Sequence, residues 1–293
     1  MTEQTRWPQG QQSAVVLTID FNDIHGILTQ TPAVAGRDKT LSVWRYGTLR
    51  GVDRLLTLLA EKKVRASWLV PAIVAAENPD VFARIVAAGH EIACSGDRHQ
   101  NFDTLTLEQQ IASVRQGCDQ LAAACGARPV GFRTPAGQWK PGLAAALSEA
   151  GIRWSSSWRG DDLPYFHPAT RLVELPMHYE LEDEPYFAFN LSPAVPPGQS
   201  RIASYQQTLE NMQQDFRGFH RFGLCYVLRL HPEIIGTAGR IGLLAELLDF
   251  IAGHQQVWIA SAAEVADWWQ TQPDNLPEHP AEIFQRQIME QTP

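Results

Sequence analysis

Short apolar runs alternate along the chain with stretches of helical period. "AVVLTID" (14–20) is rich in β-branched residues and closes on an acid, which predicts a buried strand. "LRGVDRLLTLLAEKKV" (49–64) repeats its apolar positions every three or four residues, so a helix is expected there, with a strand over "RASWLVP" (65–71). A helix over "NPDVFARIVAAG" (78–89) closes on Gly89, and "HEIACS" (90–95) reads as the next strand. "TLEQQIASVRQGCDQLAAACG" (106–126) opens on a capping-box pattern, Thr106 with Gln109 three residues on, and ends at Gly126. The strand "VGFRTP" (130–135), the helix "PGLAAALSEAG" (141–151) and the strand "RWSSSW" (153–158) follow. "LVELPM" (172–177), "LCYVLRLHP" (224–232) and "QVWIAS" (256–261) supply later strands, with a helix over "IGLLAELLDFIAG" (241–253).

Strand then helix, repeated about seven times, predicts a parallel α/β architecture, and the count points to a barrel. One domain is expected over residues 14–269, behind a polar extension (1–13) and ahead of a polar, proline-punctuated tail (270–293). The tail is expected to pack on the outside or on another subunit. Residues 179–203 are proline-rich and aperiodic and read as a long functional loop.

Composition narrows the class of function. With 44% hydrophobic and 19% charged residues and a net charge of −8, the chain carries no electrostatic footprint for nucleic acid or an anionic membrane. No apolar run approaches the roughly 18–20 residues needed to span a bilayer. The start, "MTEQTRWPQGQQS", lacks the basic-then-apolar layout of a signal peptide, so a cytoplasmic location is expected. Four cysteines without a C-x-x-C pair suggest thiols rather than a zinc knuckle or a disulfide framework.

In parallel α/β folds, ligands collect where strands end. Those ends hold Asp20 with Asn22 and Asp23, then Ser95, Asp97 and His99, then Arg133, Asp161 with Asp162, and His231. Acids, an arginine and histidines converging from several strands suit acid–base hydrolysis.

These motifs resemble the polysaccharide deacetylases of the NodB-homology type, in the branch of peptidoglycan-deacetylase-like proteins and metal-independent allantoinases. "TIDFND" matches the first motif, "GHEIACSGDRHQN" the second, "GFRTPAG" the third and "LRLHP" the fifth; "RYGTLRGVDRLLTLL", "SSSWRGDDLPY" and "LVELP" match features of the branch. The resemblance spans roughly residues 14 to 269 and implies a distorted (β/α) barrel that hydrolyses non-peptide carbon–nitrogen bonds. It further implies Asp20 as general base, Arg133 as its partner and His231 as the acid that protonates the leaving amine. Metal-dependent relatives hold a divalent ion with an Asp and two His. Here Asn22 stands at the Asp position, Ser95 at the first His, and only His99 is retained. An amide and a hydroxyl are poor zinc ligands beside carboxylate and imidazole.

The expectation is therefore a metal-independent hydrolase without cofactor, acting on a small amide, ureide or cyclic imide, with a homo-oligomeric assembly implied by the resemblance. Asn22, Ser95, His99, Asp161, Asp162 and Trp44 are expected around the substrate. Two alternatives stand beside it. One is a non-catalytic sugar- or metabolite-binding protein on a deacetylase scaffold. The other is a deacetylase that holds zinc through the substitute set Asp23, His25, Asp97 and His99.

Overall fold

The computed structural model describes residues 7–188 and 203–272. Among these residues nine strands form one sheet: β1 (Ser13–Asp20), β2 (Ser67–Val70), β3 (Glu91–Cys94), β4 (Gly131–Phe132), β5 (Trp154–Ser155), β6 (Tyr165–Phe166), β7 (Val173–Glu174), β8 (Cys225–Leu230) and β9 (Val257–Ala260). Their order is β6-β7-β5-β4-β3-β2-β1-β8, and β9 pairs with β1. Every pairing is parallel except β6 with β7. The sheet curls as a half-barrel of (β/α) type, as expected.

β1 is the axis of the sheet. β8 follows it from Ala14 to Ile19, so β2 (opposite 18–20) and β9 (opposite 13–16) must share its other edge. All eight residues of β1 are buried, which explains why it reads as a continuous apolar run rather than an alternating one. Trp7, ahead of β1, is also buried; its indole donates to the Gly223 carbonyl and its rings meet Trp258 and Trp269.

Helices cover the sheet where periodicity placed them: Val52–Lys62, Pro79–Ala87, Leu107–Cys125, Leu143–Glu149 and Arg240–Ala252. The Thr106/Gln109 capping box is formed in both directions. Further helices, at Asp23–Gln30, Asp38–Tyr46, Ala72–Glu77, Tyr205–Phe222 and Ala262–Gln270, were not among the expected elements. The first two pack Ile27, Val34 and Leu41 into a satellite cluster with Trp44 at its side. They form a wall beside the C-terminal ends of the strands instead of joining the main core. Within 179–188 the chain makes two short helical turns, Tyr179–Leu181 and Glu184–Phe187; 189–202, the rest of the expected loop, lie outside the described residues, as do 273–293. All four cysteines are free thiols, and Cys94, Cys118 and Cys225 are buried.

One close approach fixes the end of β8. Gly51 lies in a π-helical turn, Gly47–Gly51, and a Cβ there would sit 2.0 Å from the Pro232 carbonyl oxygen. Gly236 closes the same contact, since its Cβ would lie 2.6 Å from Gly51 Cα. Gly51→Ala should therefore push the 231–236 turn outward and cost about 1–3 kcal/mol through overpacking. Thermal melts of the variant would check this, and an unchanged midpoint would refute the contact.

Candidate active site

The C-terminal ends of β1, β3, β4 and β8 bring together most of the expected residues. Asp20 ends β1 and is 2% exposed. Its Oδ1 accepts from Arg133 Nη1 at 2.6 Å, and its Oδ2 accepts from Arg229 Nε at 2.7 Å. Arg133, just past β4, gives three more donors to Ser156 O (2.6 Å), Ser156 Oγ (2.7 Å) and Thr18 Oγ1 (3.0 Å). Four of the five guanidinium N–H donors are thus engaged, which is how a cation tolerates burial. Burial alone would raise the Asp20 carboxyl, but Arg133, Arg229 and His231 outweigh it and hold it well below the usual carboxylate range.

His231 follows β8, with Nε2 at 3.7 Å from Asp20 Oδ2. Its other ring nitrogen, Nδ1, lies 2.7 Å from Asp183 Oδ1, while its backbone N–H donates to Asp183 Oδ2 at 2.8 Å. Burial opposes charge on the ring, yet Asp183, helped by Asp20, raises its pKa to about 10. The proton belongs on His231 because Asp183 also receives a backbone N–H, which favours its carboxylate form.

His231 opens onto a cavity of about 380 Å³ whose walls include Asn22, Trp44, His99, Glu233 and Arg240. Asp20 lies beneath this cavity rather than in its lining. Asn22 Oδ1 is buried and has no hydrogen-bond partner among the described residues. His99 adopts the left-handed region (φ 56°) and its carbonyl accepts from the Thr29 hydroxyl. Burial lowers the His99 imidazole to about 4, so the ring is neutral at neutral pH, with Nδ1 3.1 Å from Thr29 Oγ1. Trp44 reaches the cavity from the helix Asp38–Tyr46.

Other expected residues are elsewhere. Ser95 is buried outside the cavity lining, and its hydroxyl donates to the Arg133 carbonyl at 3.0 Å. Asp161 and Asp162 sit at a separate surface depression with His178 and Tyr179. There Asp161 Oδ1 accepts from the backbone N–H of Asp162 and Leu163, a turn-forming role, so these two acids do not face the His231 cavity. The substitute metal set is not assembled. His25 Nε2 lies 2.8 Å from Glu77, Asp97 Oδ1 accepts from Ser113 Oγ and the Arg98 N–H, and Asp23 Oδ2 accepts from Asn78. Among the described residues no group of three or more His, Cys, Asp or Glu side chains is arranged to hold a metal ion. The inherited donor set fits zinc no better: an amide, a hydroxyl engaged with a carbonyl, and one neutral imidazole.

The structure adds residues that sequence reasoning passed over. Arg229 is the second cation on Asp20 and also pairs with Glu182 at 3.0 Å. A charged residue inside the apolar run "LCYVLRLHP" was the available signal. Asp183 and Glu182 are buried acids in a segment that reads as polar loop, where nothing in the pattern marks burial. Glu233 lines the cavity, and burial, opposed by His231, pushes its carboxyl up to about 8.

The chain has relatives among known proteins. A polysaccharide deacetylase family model matches residues 43–155. Over that span the chain is similar to the polysaccharide deacetylase family. A Mycobacterium smegmatis protein named for polysaccharide deacetylases is 29% identical, with a TM-score of 0.84 over 93% of this chain and 96% of that one. The crystal structure of PuuE allantoinase is 21% identical, with a TM-score of 0.78 over 93% of this chain and 95% of that one, a likeness of fold. A curated relative, the peptidoglycan deacetylase of Helicobacter pylori, is 22% identical over 74% of this chain and 83% of its own length. Among the described residues, no helix is long and apolar enough to cross a membrane.

Proposed function

We propose that this protein hydrolyses the carbon–nitrogen bond of a small amide, ureide or cyclic imide by general acid–base catalysis without a resident metal ion. The observation that carries the reading is His231, paired with Asp183 at 2.7 Å and 3.7 Å from Asp20, opening onto a cavity beneath which Asp20 lies. A volume of about 380 Å³ suits a small molecule better than a polymer chain. The match of residues 43–155 to a polysaccharide deacetylase family model and the fold shared with an allantoinase support hydrolysis of such a bond.

In this reading the attacking water sits where Asp20 Oδ2 and His231 Nε2 converge. Asp20 is too weak a base to deprotonate free water. Once the water oxygen bonds to the carbonyl carbon, however, its protons become strongly acidic, and a weak carboxylate then suffices as acceptor. His231 delivers its proton to the departing nitrogen as the carbon–nitrogen bond breaks, and the proton taken by Asp20 restores it. Asn22 and neutral His99 offer hydrogen bonds to the substrate from the cavity wall. A ring-strained or electron-poor carbonyl suits such a site, since no Lewis acid is required to activate it.

The test joins a screen of ureides, imides and acetylated amines to elemental analysis of untreated protein. Turnover should be unaffected by chelators, with zinc well below one ion per chain. Turnover that disappears on chelation and returns with zinc would overturn the metal-free reading; ligand binding without turnover of any compound would favour a retired scaffold. Asn22→Asp with Ser95→His should create zinc affinity if these positions are the inherited ligand sites.

Glu233 offers a second reading of the base. Its carboxyl lines the cavity and is raised to about 8, near the value a general base needs. The pH profile separates it from Asp20.

A further inference from the structure

Around the site, arginines are paired with carboxylates. Arg133 pairs with Asp20 at 2.6 Å, Arg159 with Glu182 at 2.5 Å, and Arg229 with both acids at 2.7 and 3.0 Å. Arg240 breaks the pattern. It is 9% exposed and lines the same cavity, yet among the described residues it forms no ion pair. Its Nη1 donates to the Ile234 carbonyl at 3.2 Å, and its buried Nε has no acceptor. Aromatic faces flank the guanidinium, Phe187 at 4.8 Å and Tyr205 at 5.9 Å. Glu184, another charged group of the lining, makes no ion pair with it.

The local backbone makes this cation more costly still. Arg240 is the first residue of the helix Arg240–Ala252, which has no side-chain N-cap. The positive end of the helix dipole disfavours a cation at that position and favours an anion. A buried guanidinium with no counter-charge, at the wrong end of a helix, is destabilising unless something in the cavity neutralises it. Arginine presents a planar fork matched to a carboxylate, and the flanking rings keep that fork in place.

We propose that Arg240 is a specificity-determining residue that receives a carboxylate of the substrate, so that the compound hydrolysed in this cavity is an acidic amide, ureide or imide. The inference rests on the hydrolase reading for the word substrate, but its binding chemistry stands apart from turnover. The reacting carbon–nitrogen bond lies toward His231 and the carboxylate toward Arg240, both of which line the cavity.

The test uses matched probes: succinamate, which carries a carboxylate, and succinamide, its neutral counterpart, titrated calorimetrically into the wild type and Arg240→Gln. The wild type should prefer succinamate by about tenfold or more, the scale of hydrogen bonds to a charged group. Arg240→Gln should lose that preference, keep its affinity for succinamide, and melt at a higher temperature because an unpaired buried charge is gone. Arg240→Lys should retain part of the preference. Equal binding of the two probes by the wild type, or a preference that survives in Arg240→Gln, would overturn the proposal. A lower melting temperature in Arg240→Gln with the preference intact would assign the residue a purely structural role and also overturn it. Preference lost as expected, but with no amide or imide turned over by the wild type, would sink the hydrolase reading and leave the carboxylate site standing.

Discussion

Asp20→Asn should unfold far more readily than the wild type as well as lose activity. The substitution keeps the shape of the side chain, which invites its use as a pure test of chemistry. The surroundings argue otherwise, because Asp20 is the counter-charge for two arginines, one of them fully buried. Removing one partner of a buried pair typically costs about 3–5 kcal/mol, since the remaining charge is left in a poor solvent. Urea denaturation should show a loss of that order, and the rate should fall by about 10²–10⁴-fold if Asp20 accepts the water proton. The two effects can be separated. Adding Arg229→Met to Asp20→Asn should recover part of the stability, so the double variant is less destabilised than the sum of the singles, while activity stays lost. A stability loss below about 1 kcal/mol, the range of an exposed pair, would mean that the Asp20 network is solvated and that its depressed proton affinity is not real. The sign with pH follows. A carboxylate held below its ordinary value contributes stability above about pH 3.8 that is lost as pH falls through its folded value, so acid unfolding should report on this network.

Much of this was legible from the chain because strand ends and motif order carry topological information. Asp20, Arg133 and His231 each close or follow an apolar run, and the unbroken parallel order from β4 through β3, β2 and β1 to β8 places those ends at one end of the sheet. Their mutual contacts are long-range in sequence, 113 residues apart for Asp20 and Arg133, yet topology alone brings them together. What the pattern did not show depends on burial of polar groups in irregular segments. Asp161 and Asp162 look like site acids from their place after a strand, but Asp161 Oδ1 accepts from the next two backbone amides and shapes a turn. Asp183, in a segment of similar acidity, is fully buried because His231 supplies two donors to its carboxylate. Sequence spacing cannot tell these cases apart; only the distant partner can. The helices at Asp23–Gln30 and Asp38–Tyr46 escaped notice for a related reason, since their apolar faces meet each other in a small cluster and are too short to show a clear period.

The rate of hydrolysis should stay level from mildly acidic pH through neutrality and fall as pH rises through about 10. Asp20 is ionised throughout that range, so it sets no limb there. His231 must carry a proton to give to the leaving nitrogen, and its raised pKa of about 10 places the only descending limb. Asp183 is what holds it there, after burial has been overcome. Asp183→Asn keeps an acceptor for the ring but removes the charge, so the alkaline limb should move down toward the ordinary histidine value of 6.5. A positioning role alone would lower the rate without moving that limb, which makes the profile the deciding readout. The same shift is a stability statement. His231 binds its proton more tightly folded than unfolded, so its contribution is complete below pH 6.5 and is lost between there and about 10. Urea midpoints of the wild type should decline across that window, and those of Asp183→Asn should decline less. Should the wild-type profile instead climb through about 8, and lose that limb in Glu233→Gln, the base would be Glu233 and Asp20 would act only by charging His231. An alkaline limb that stays in place when Asp183 is neutralised would mean that His231 is not the acid, because no other contact of the ring could sustain its charge so far above the ordinary value.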